Sequence, residues 1–150
     1  MKLDELRSLI KDCGIAGAGG AGFPSYAKLN DKADTVILNC AECEPLFRLH
    51  RQLLKKYSFE IISTLELLRE CLGADRFYVA LKKGYKTTAD AVERDIANFK
   101  NGSVSYLHEV YPAGDEVVLI YDVTGRCVPA GGLPIDVGAI VYNVETVLNM

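Results

Sequence analysis

"RFYVALKKGYKTTADAVERDIANFKNGSVSYLHEV", residues 76–110, carries the reading on which the fold turns. Residues 76–82 are a run of strand length. Residues 86–100 read as a helix, with a threonine N-cap candidate at its start and Gly102 after its end. Residues 103–110 read as a second strand. Strand, helix and strand in succession is the unit of a parallel sheet, because parallel neighbours need a long crossover.

The alternation continues in both directions. Residues 2–12 read as a helix with Leu3, Leu6, Leu9 and Ile10 on one face. "DTVILN" (34–39) is a short apolar run ended by turn chemistry, a buried strand. Residues 46–71 repeat Leu46, Leu49, Leu53, Leu54, Ile61, Leu65 and Leu68 at helical spacing, with a break near Tyr57 and Ser58. Downstream, "GDEVVLIYDVTG" (114–125) is a short helix closed by Gly125, "RCVPAGGLPIDVG" (126–138) a loop and "AIVYNV" (139–144) a last strand. The pattern predicts an α/β layer fold with a mainly parallel sheet.

The chain has 150 residues, one domain by length. Hydrophobic residues make up 49% and charged residues 25%, as in an ordinary globular protein, and a net charge of −3 argues against nucleic acid as a partner. No apolar run reaches the length of a membrane span, and the acid-bearing start is neither a signal nor a transit peptide. Five irregularly spaced cysteines argue for reduced thiols in a cytoplasm. "AIVYNVETVLNM" stops without a C-cap or polar tail, the expected end of a fragment cut from a longer protein.

The segment "GIAGAGGAGFPSYAKL", Gly14 to Leu29, holds five glycines in nine residues. So dense a run carries an entropic cost and calls for something flat or anionic against the backbone. Gly17 to Gly22 satisfies G-x-G-x-x-G, but that motif must follow a strand, and here it follows a helix. No Gly-Lys-Ser/Thr closes a P-loop. A loop approached by a phosphate or an isoalloxazine ring remains, with a tightly packed or flexible loop as the alternative.

"NCAECEP", Asn39 to Pro45, stands at a strand end, where α/β sheets bind ligands. Glu42 and Glu44 bracket Cys43; they form either a solvated acidic turn or a hydrogen-bonding set for ribose or nicotinamide. Cys40 and Cys43 form C-x-x-C, but a zinc site needs two more ligands, so coincidence and a redox dithiol are what remain. "YPAGDE" (111–116) places Asp115 and Glu116 in a first helical turn, where they also suit the helix dipole. "YNVET" (142–146) offers a strand-end asparagine and a capping threonine. Polar junctions beside helix N-termini, together with the glycine loop, suggest one shared cleft. His50 and His108 read as structural, and Lys82, Lys83 and Lys86 as solvated.

"GAGGAGFPSYAKL", "NCAECEP", "YPAGDE" and "NVET", in this order, resemble the flavin-binding domain of the NADH-oxidising subunit of respiratory complex I. They are more similar still to the RnfC-type component of Rnf electron-transport complexes and the cobalamin reductase of propanediol utilisation. "VTGRCVPAGGLP" (123–134) nearly matches the Rnf-type pattern, and the resemblance spans about residues 13–148. It implies a Rossmann-like three-layer domain that binds FMN and takes hydride from NADH. It also implies an SLBB segment and iron–sulfur (4Fe-4S) clusters in a missing C-terminal part. The acceptor would be ferredoxin, a corrinoid or membrane-complex subunits. The location would be cytoplasmic, at the inner membrane surface or inside a bacterial microcompartment.

The resemblance also assigns roles. Gly17, Gly19, Gly20 and Gly22 match the loop along the flavin, Phe23 the aromatic stacked on the nucleotide, and Lys28 the cation near the reduced ring. Asn39 and Glu42 match flavin-side polar residues and Glu44 the carboxylate near nicotinamide. Gly114, Asp115 and Glu116 match a Gly-Glu-Glu element, with Asp115 shortened. Asn143 and Thr146 match phosphate-side residues. Ala41 and Tyr142 depart from the complex I pattern, which has Asp and Asn there, and both changes remove polar contacts. No catalytic side chain and no metal ligand is assigned, since a flavin carries the chemistry. A flavin-free docking module and a thiol redox protein through Cys40 and Cys43 are the competing readings.

Overall fold

The computed structural model describes residues 1–19, 21–44 and 46–150. Four strands, β1 (Thr35–Cys40), β2 (Arg76–Lys82), β3 (Gly102–Leu107) and β4 (Ala139–Asn143), form one sheet in the order β3-β2-β1-β4. Each pairing is parallel, with Leu38 opposite Val79 on one side and Tyr142 on the other. The chain therefore runs outward from β1 through β2 to β3, then crosses to the far side of β1 to add β4.

The helices are α1 (Leu3–Asp12), α2 (Leu49–Lys56), α3 (Ser58–Leu72), α4 (Lys86–Ile96), α5 (Glu116–Thr124) and α6 (Val144–Leu148). Strand residues alternate between two faces, as the pleat requires. Val36, Leu38, Phe77, Val79 and Ile140 pack with Leu54, Ile61, Leu65 and Val92 of α2 to α4 in the larger core. Ile37, Ala80, Ala139 and Val141 face Leu119 and Ile120 of α5. The result is three layers, an α/β domain with an all-parallel sheet among the described residues.

Element types follow the sequence pattern, and the boundaries shift for local reasons. The expected long helix over 46–71 breaks at Tyr57 and begins only at Leu49. The helix expected over 86–100 ends at Ile96, and its N-cap is Tyr85 rather than a threonine; Thr88 Oγ1 instead donates to the Arg51 carbonyl, tying α4 to α2. Gly102 opens β3 instead of closing α4, and β3 ends at Leu107. Asp115 caps α5, its carboxylate accepting the Val117 and Val118 N–H groups, and Gly125 in the left-handed region closes it.

The segment after α5 is fastened to the start of β1, away from the strand ends that carry Asn39 and Asn143. Arg126 Nη1 donates to Asp34 Oδ1 (2.6 Å) and to the Val137 carbonyl (2.8 Å). The Gly138 carbonyl accepts the Asp34 and Thr35 N–H groups. Gly138 has φ 74°, and a Cβ there would lie 2.8 Å from Asp34 Oδ2. Gly138→Ala is therefore expected to lower unfolding free energy by more than about 1 kcal/mol, read as a reduced urea midpoint at unchanged slope.

Candidate functional site

The sheet has one topological switch point, between β1 and β4, and ligands of open α/β sheets bind at the carboxyl ends of the strands there. A cleft of about 220 Å³ opens at that place. Asn39 ends it from β1, and Val141, Tyr142 and Asn143 from β4.

The glycine loop forms the facing wall, and it is closed at its base. Ala16 bridges Pro24, the Gly17 N–H donates to the Phe23 carbonyl (2.8 Å), and the Ser25 N–H to the Ile15 carbonyl (3.1 Å). A Cβ on Gly17 would press on the Phe23 carbonyl at 3.2 Å. Gly19 and Gly22 take φ near 70°, a region that glycine enters without steric cost. Gly20 lies outside the described residues. The loop's tip is tied to α6: the Ala18 N–H donates to Thr146 Oγ1 (3.0 Å), and Asn143 Nδ2 donates to the Ala18 carbonyl. Asn143 also caps α6, its Oδ1 accepting from the Thr146 N–H (2.7 Å) and hydroxyl (2.6 Å).

Of the residues singled out in the sequence, Gly17, Gly19, Gly22, Phe23, Lys28, Asn39, Glu116, Asn143 and Thr146 line this cleft. Asn143 and Thr146 direct their described hydrogen bonds into the loop and the α6 cap. Gly114 stands behind the wall. Its carbonyl accepts from Asn39 Nδ2 (2.9 Å), and its N–H donates to Cys43 Sγ (3.1 Å). A Cβ on Gly114 would meet that sulfur at 2.9 Å. Asp115 faces its own helix as a cap. Glu42 turns inward, its side chain 1% exposed beside Arg51. Glu44 is exposed and lines neither this cleft nor its neighbour.

Lys28 ends a 3₁₀ turn, Ser25–Lys28, and its ammonium donates to Glu116 Oε1 (2.9 Å) and the Val141 carbonyl (3.0 Å). Both side chains of this ion pair are about a third exposed or more, so it is worth about 1 kcal/mol or less and exchanges readily for a ligand. A second, more apolar cleft of about 440 Å³ adjoins the first and shares Ala21, Phe23, Lys28, Glu116 and Val141 with it; Leu133, Pro134 and Ile135 supply its far side. Phe23 is 52% exposed where the two share a wall.

The residue assignments left out Ser25 and Ala18 and named Tyr142 only as a departure that removes a polar contact; all three line the cleft. Ser25 is buried in the cleft wall and its hydroxyl has no partner among the described residues. Its signal was the i, i+3 spacing to Lys28, which a 3₁₀ turn eclipses on one side. Tyr142 carries its hydroxyl away to the buried Ser25 carbonyl (2.8 Å) and so braces that turn. His50, on α2, sits behind Gly19, and its Nε2 is buried without a partner among the described residues. Burial pushes its pKa down, against the opposing pull of Glu42 and Glu145. Burial also pushes the Cys40 thiol far up, which disfavours a thiolate there.

The chain belongs to the Nuo51 FMN-binding domain family, whose model matches residues 10–150. It is 39% identical over 146 residues to the cobalamin reductase PduS of Citrobacter freundii, an alignment covering 97% of this chain and 32% of that protein. The RnfC-type component of the Na⁺-translocating ferredoxin:NAD⁺ oxidoreductase complex of Acetobacterium woodii is 35% identical over 150 residues, covering 97% of this chain and 34% of that protein. Among solved structures, a chain of an NAD⁺-reducing [NiFe]-hydrogenase in its H₂-reduced state superimposes with a TM-score of 0.82 at 26% identity. That match covers 98% of this chain and 30% of the hydrogenase chain. The chain thus spans about a third of the length of the curated relatives it matches.

Two expectations follow from the site's construction. Thr146→Val removes the acceptor of the Ala18 N–H at nearly constant volume; it is expected to lower stability by about 1 kcal/mol and to speed exchange of the Ala18 amide. His50 has its pKa below the usual imidazole value, so the unfolded chain takes up the proton first as pH falls. The stability from keeping His50 neutral is present above about pH 6.5 and is lost below it. His50→Phe, which has nothing to protonate, is expected to lose less stability than wild type between about pH 7 and about pH 5, read from urea midpoints.

Proposed function

We propose that the cleft between the glycine loop and the β1 and β4 ends holds FMN, and that the domain takes hydride from NADH and hands electrons to a one-electron acceptor. The carrying observation is the wall of bare glycine backbone fixed over the switch point by Thr146 and Asn143, with a lysine opposite, in a chain of the Nuo51 FMN-binding family. The donor set suits the cofactor. Glycines admit a flat ring or phosphate to the backbone, the Ser25 hydroxyl lacks a partner among the described residues, and Lys28 offers a charge whose ionic partner, Glu116, is partly exposed and exchangeable, its other bond going to the Val141 carbonyl.

Bound FMN would supply the conversion between hydride and single-electron transfer. The chain's own residues position and tune. Gly17, Gly19 and Gly22 allow close approach, and Phe23 offers an exposed aromatic face to a nucleotide. Lys28 places positive charge beside the ring to favour its reduced, anionic form. The apolar neighbouring cleft, sharing Phe23, Lys28 and Glu116, is the place for the nicotinamide nucleotide. Glu44 lines neither cleft, and its place at the nicotinamide side rests on the resemblance alone, as a carboxylate that would reach the bound nucleotide from outside the cleft wall.

The relatives are named as a cobalamin reductase and as part of a ferredoxin:NAD⁺ oxidoreductase complex, so ferredoxin, a corrinoid or iron–sulfur centres are the proposed acceptors. A fragment of a longer protein with SLBB and iron–sulfur segments fits the share of the relatives that is covered. Among the described residues, no helix is long and apolar enough to cross a membrane.

Titration of the purified chain with FMN is expected to give a bound flavin spectrum; none at high micromolar FMN sinks the reading. Lys28→Ala is expected to weaken FMN binding by about tenfold or more and to make the bound flavin harder to reduce, because a hydrogen bond to a charged group is worth about 1.5–3 kcal/mol. Glu44→Ala should keep the flavin and weaken NADH, read by stopped-flow reduction. Cys40→Ala should leave reduction intact; its loss with flavin retained would favour thiol chemistry.

A further inference from the structure

Glu42 is the one described non-glycine residue with positive φ, at 35°. A side chain in that region persists only where its surroundings hold it. Here α2 supplies the hold. Arg51 Nε lies 3.0 Å from Glu42 Oε2, an ionic contact rather than a linear hydrogen bond, and the Arg51 N–H donates to Oε1 at 3.2 Å. The guanidinium carbon sits 4.5 Å from the Tyr85 ring centroid, and Tyr85 Oη donates to the Ala41 carbonyl (3.3 Å). Lys82 Nζ donates to the Glu42 carbonyl (3.1 Å). The acid is thus buried against a cation from another element, and removing that cation strands a buried charge.

The turn held in this way reaches the cleft. Asn39 and Cys43, on either side of Glu42, grip the carbonyl and the N–H of Gly114. Gly114 leads into α5, which brings Glu116 to Lys28. We propose that Arg51 is a positioning residue for the cleft, acting through Glu42 to fix the 39–44 turn and, through Gly114, the start of α5. Glu42 then serves by holding Arg51 and not by touching a ligand. Only the expected effect on FMN rests on the flavin reading.

The test compares wild type, Arg51→Gln, Glu42→Gln and the double Glu42→Gln/Arg51→Gln. One readout needs no cofactor: hydrogen exchange, followed by NMR, at Ala41 N–H, which donates to Asn39 Oδ1, and at Gly114 N–H. The other is FMN titration. Arg51→Gln is expected to speed exchange at both amides by about tenfold, to leave the β2 amides unchanged, and to weaken FMN by a similar factor. The double variant, which removes the stranded charge, is expected to recover most of both. If Arg51→Gln does not fold, Arg51→Lys keeps the charge but not the plane over Tyr85, and is expected to show the same changes in smaller measure. Unchanged exchange at Ala41 and Gly114 in the folded Arg51 variant overturns the proposal. So does a double variant as impaired as Glu42→Gln with no recovery, which would put Glu42 on the ligand. A wild type that binds no FMN overturns the flavin reading alone, and exchange still decides whether Arg51 positions the turn.

Discussion

The glycine loop stays over the sheet because Thr146 and Asn143 take hold of Ala18 by its N–H and its carbonyl. These contacts join residues 128 and 125 positions apart. The entropic cost of closing so large a loop rises only slowly with its length, whereas a free glycine-rich tip retains more backbone freedom than any other segment of its size. Two side chains, one in the short helix α6 and one capping it, therefore hold the glycine-rich segment as a wall. Asn143 performs this as the last residue of β4 and the cap of α6, so the wall is referenced directly to the sheet. Cleft geometry, the accessibility of the loop backbone and the placing of Phe23 all descend from that attachment.

Two carboxylates near the cleft show how burial divides similar residues between structure and chemistry. Glu116 meets Lys28 with both partners partly in water, so the pair is weak and the lysine can change partner. Glu42 meets Arg51 with its own side chain sealed, so breaking that pair leaves a charge without solvent. Sequence proximity to a strand end does not distinguish the two. Each lies near a polar junction; only the elements packed against them differ, α2 over Glu42 and the open loop over Glu116.

The layer fold was legible because its signals are local. The run 76–110 carries strand, helix and strand in the lengths that a parallel crossover demands, and the structure has β2, α4 and β3 there. The breaks at Tyr57 and Gly125 were equally local. The resemblance named Gly17, Gly19, Gly22, Phe23, Lys28, Asn39, Glu116, Asn143 and Thr146, which line the cleft and whose segments meet only in three dimensions. What segment-by-segment reading could not supply was the inward rotation of Glu42, because it depends on Arg51 arriving from α2. Nor could it show that Tyr142 sends its hydroxyl to Ser25 rather than into the cleft. The motif "VTGRCVPAGGLP" carried the resemblance without a role for its arginine, and Arg126 binds Asp34 at the opposite end of β1.

The G-x-G-x-x-G pattern failed its contextual test in the sequence, since it follows α1 and not a strand. In a dinucleotide fold the glycines turn a strand into a helix whose N-terminus receives the phosphate. Here the loop enters from outside the sheet, closes its base by the Ala16–Pro24 bridge, and lies across the strand ends from above. The connectivity is different, but bare backbone ends up at the same place, the carboxyl end of the sheet where strand order reverses. That point is where neighbouring crossovers part and leave a crevice. Glycine is required here by the loop's own geometry: Gly19 and Gly22 take φ near 70°, and a Cβ would press on the Phe23 carbonyl from Gly17 and on Asn143 Nδ2 from Gly19. The motif can therefore spell a nucleotide loop while its flanking structure denies the usual one.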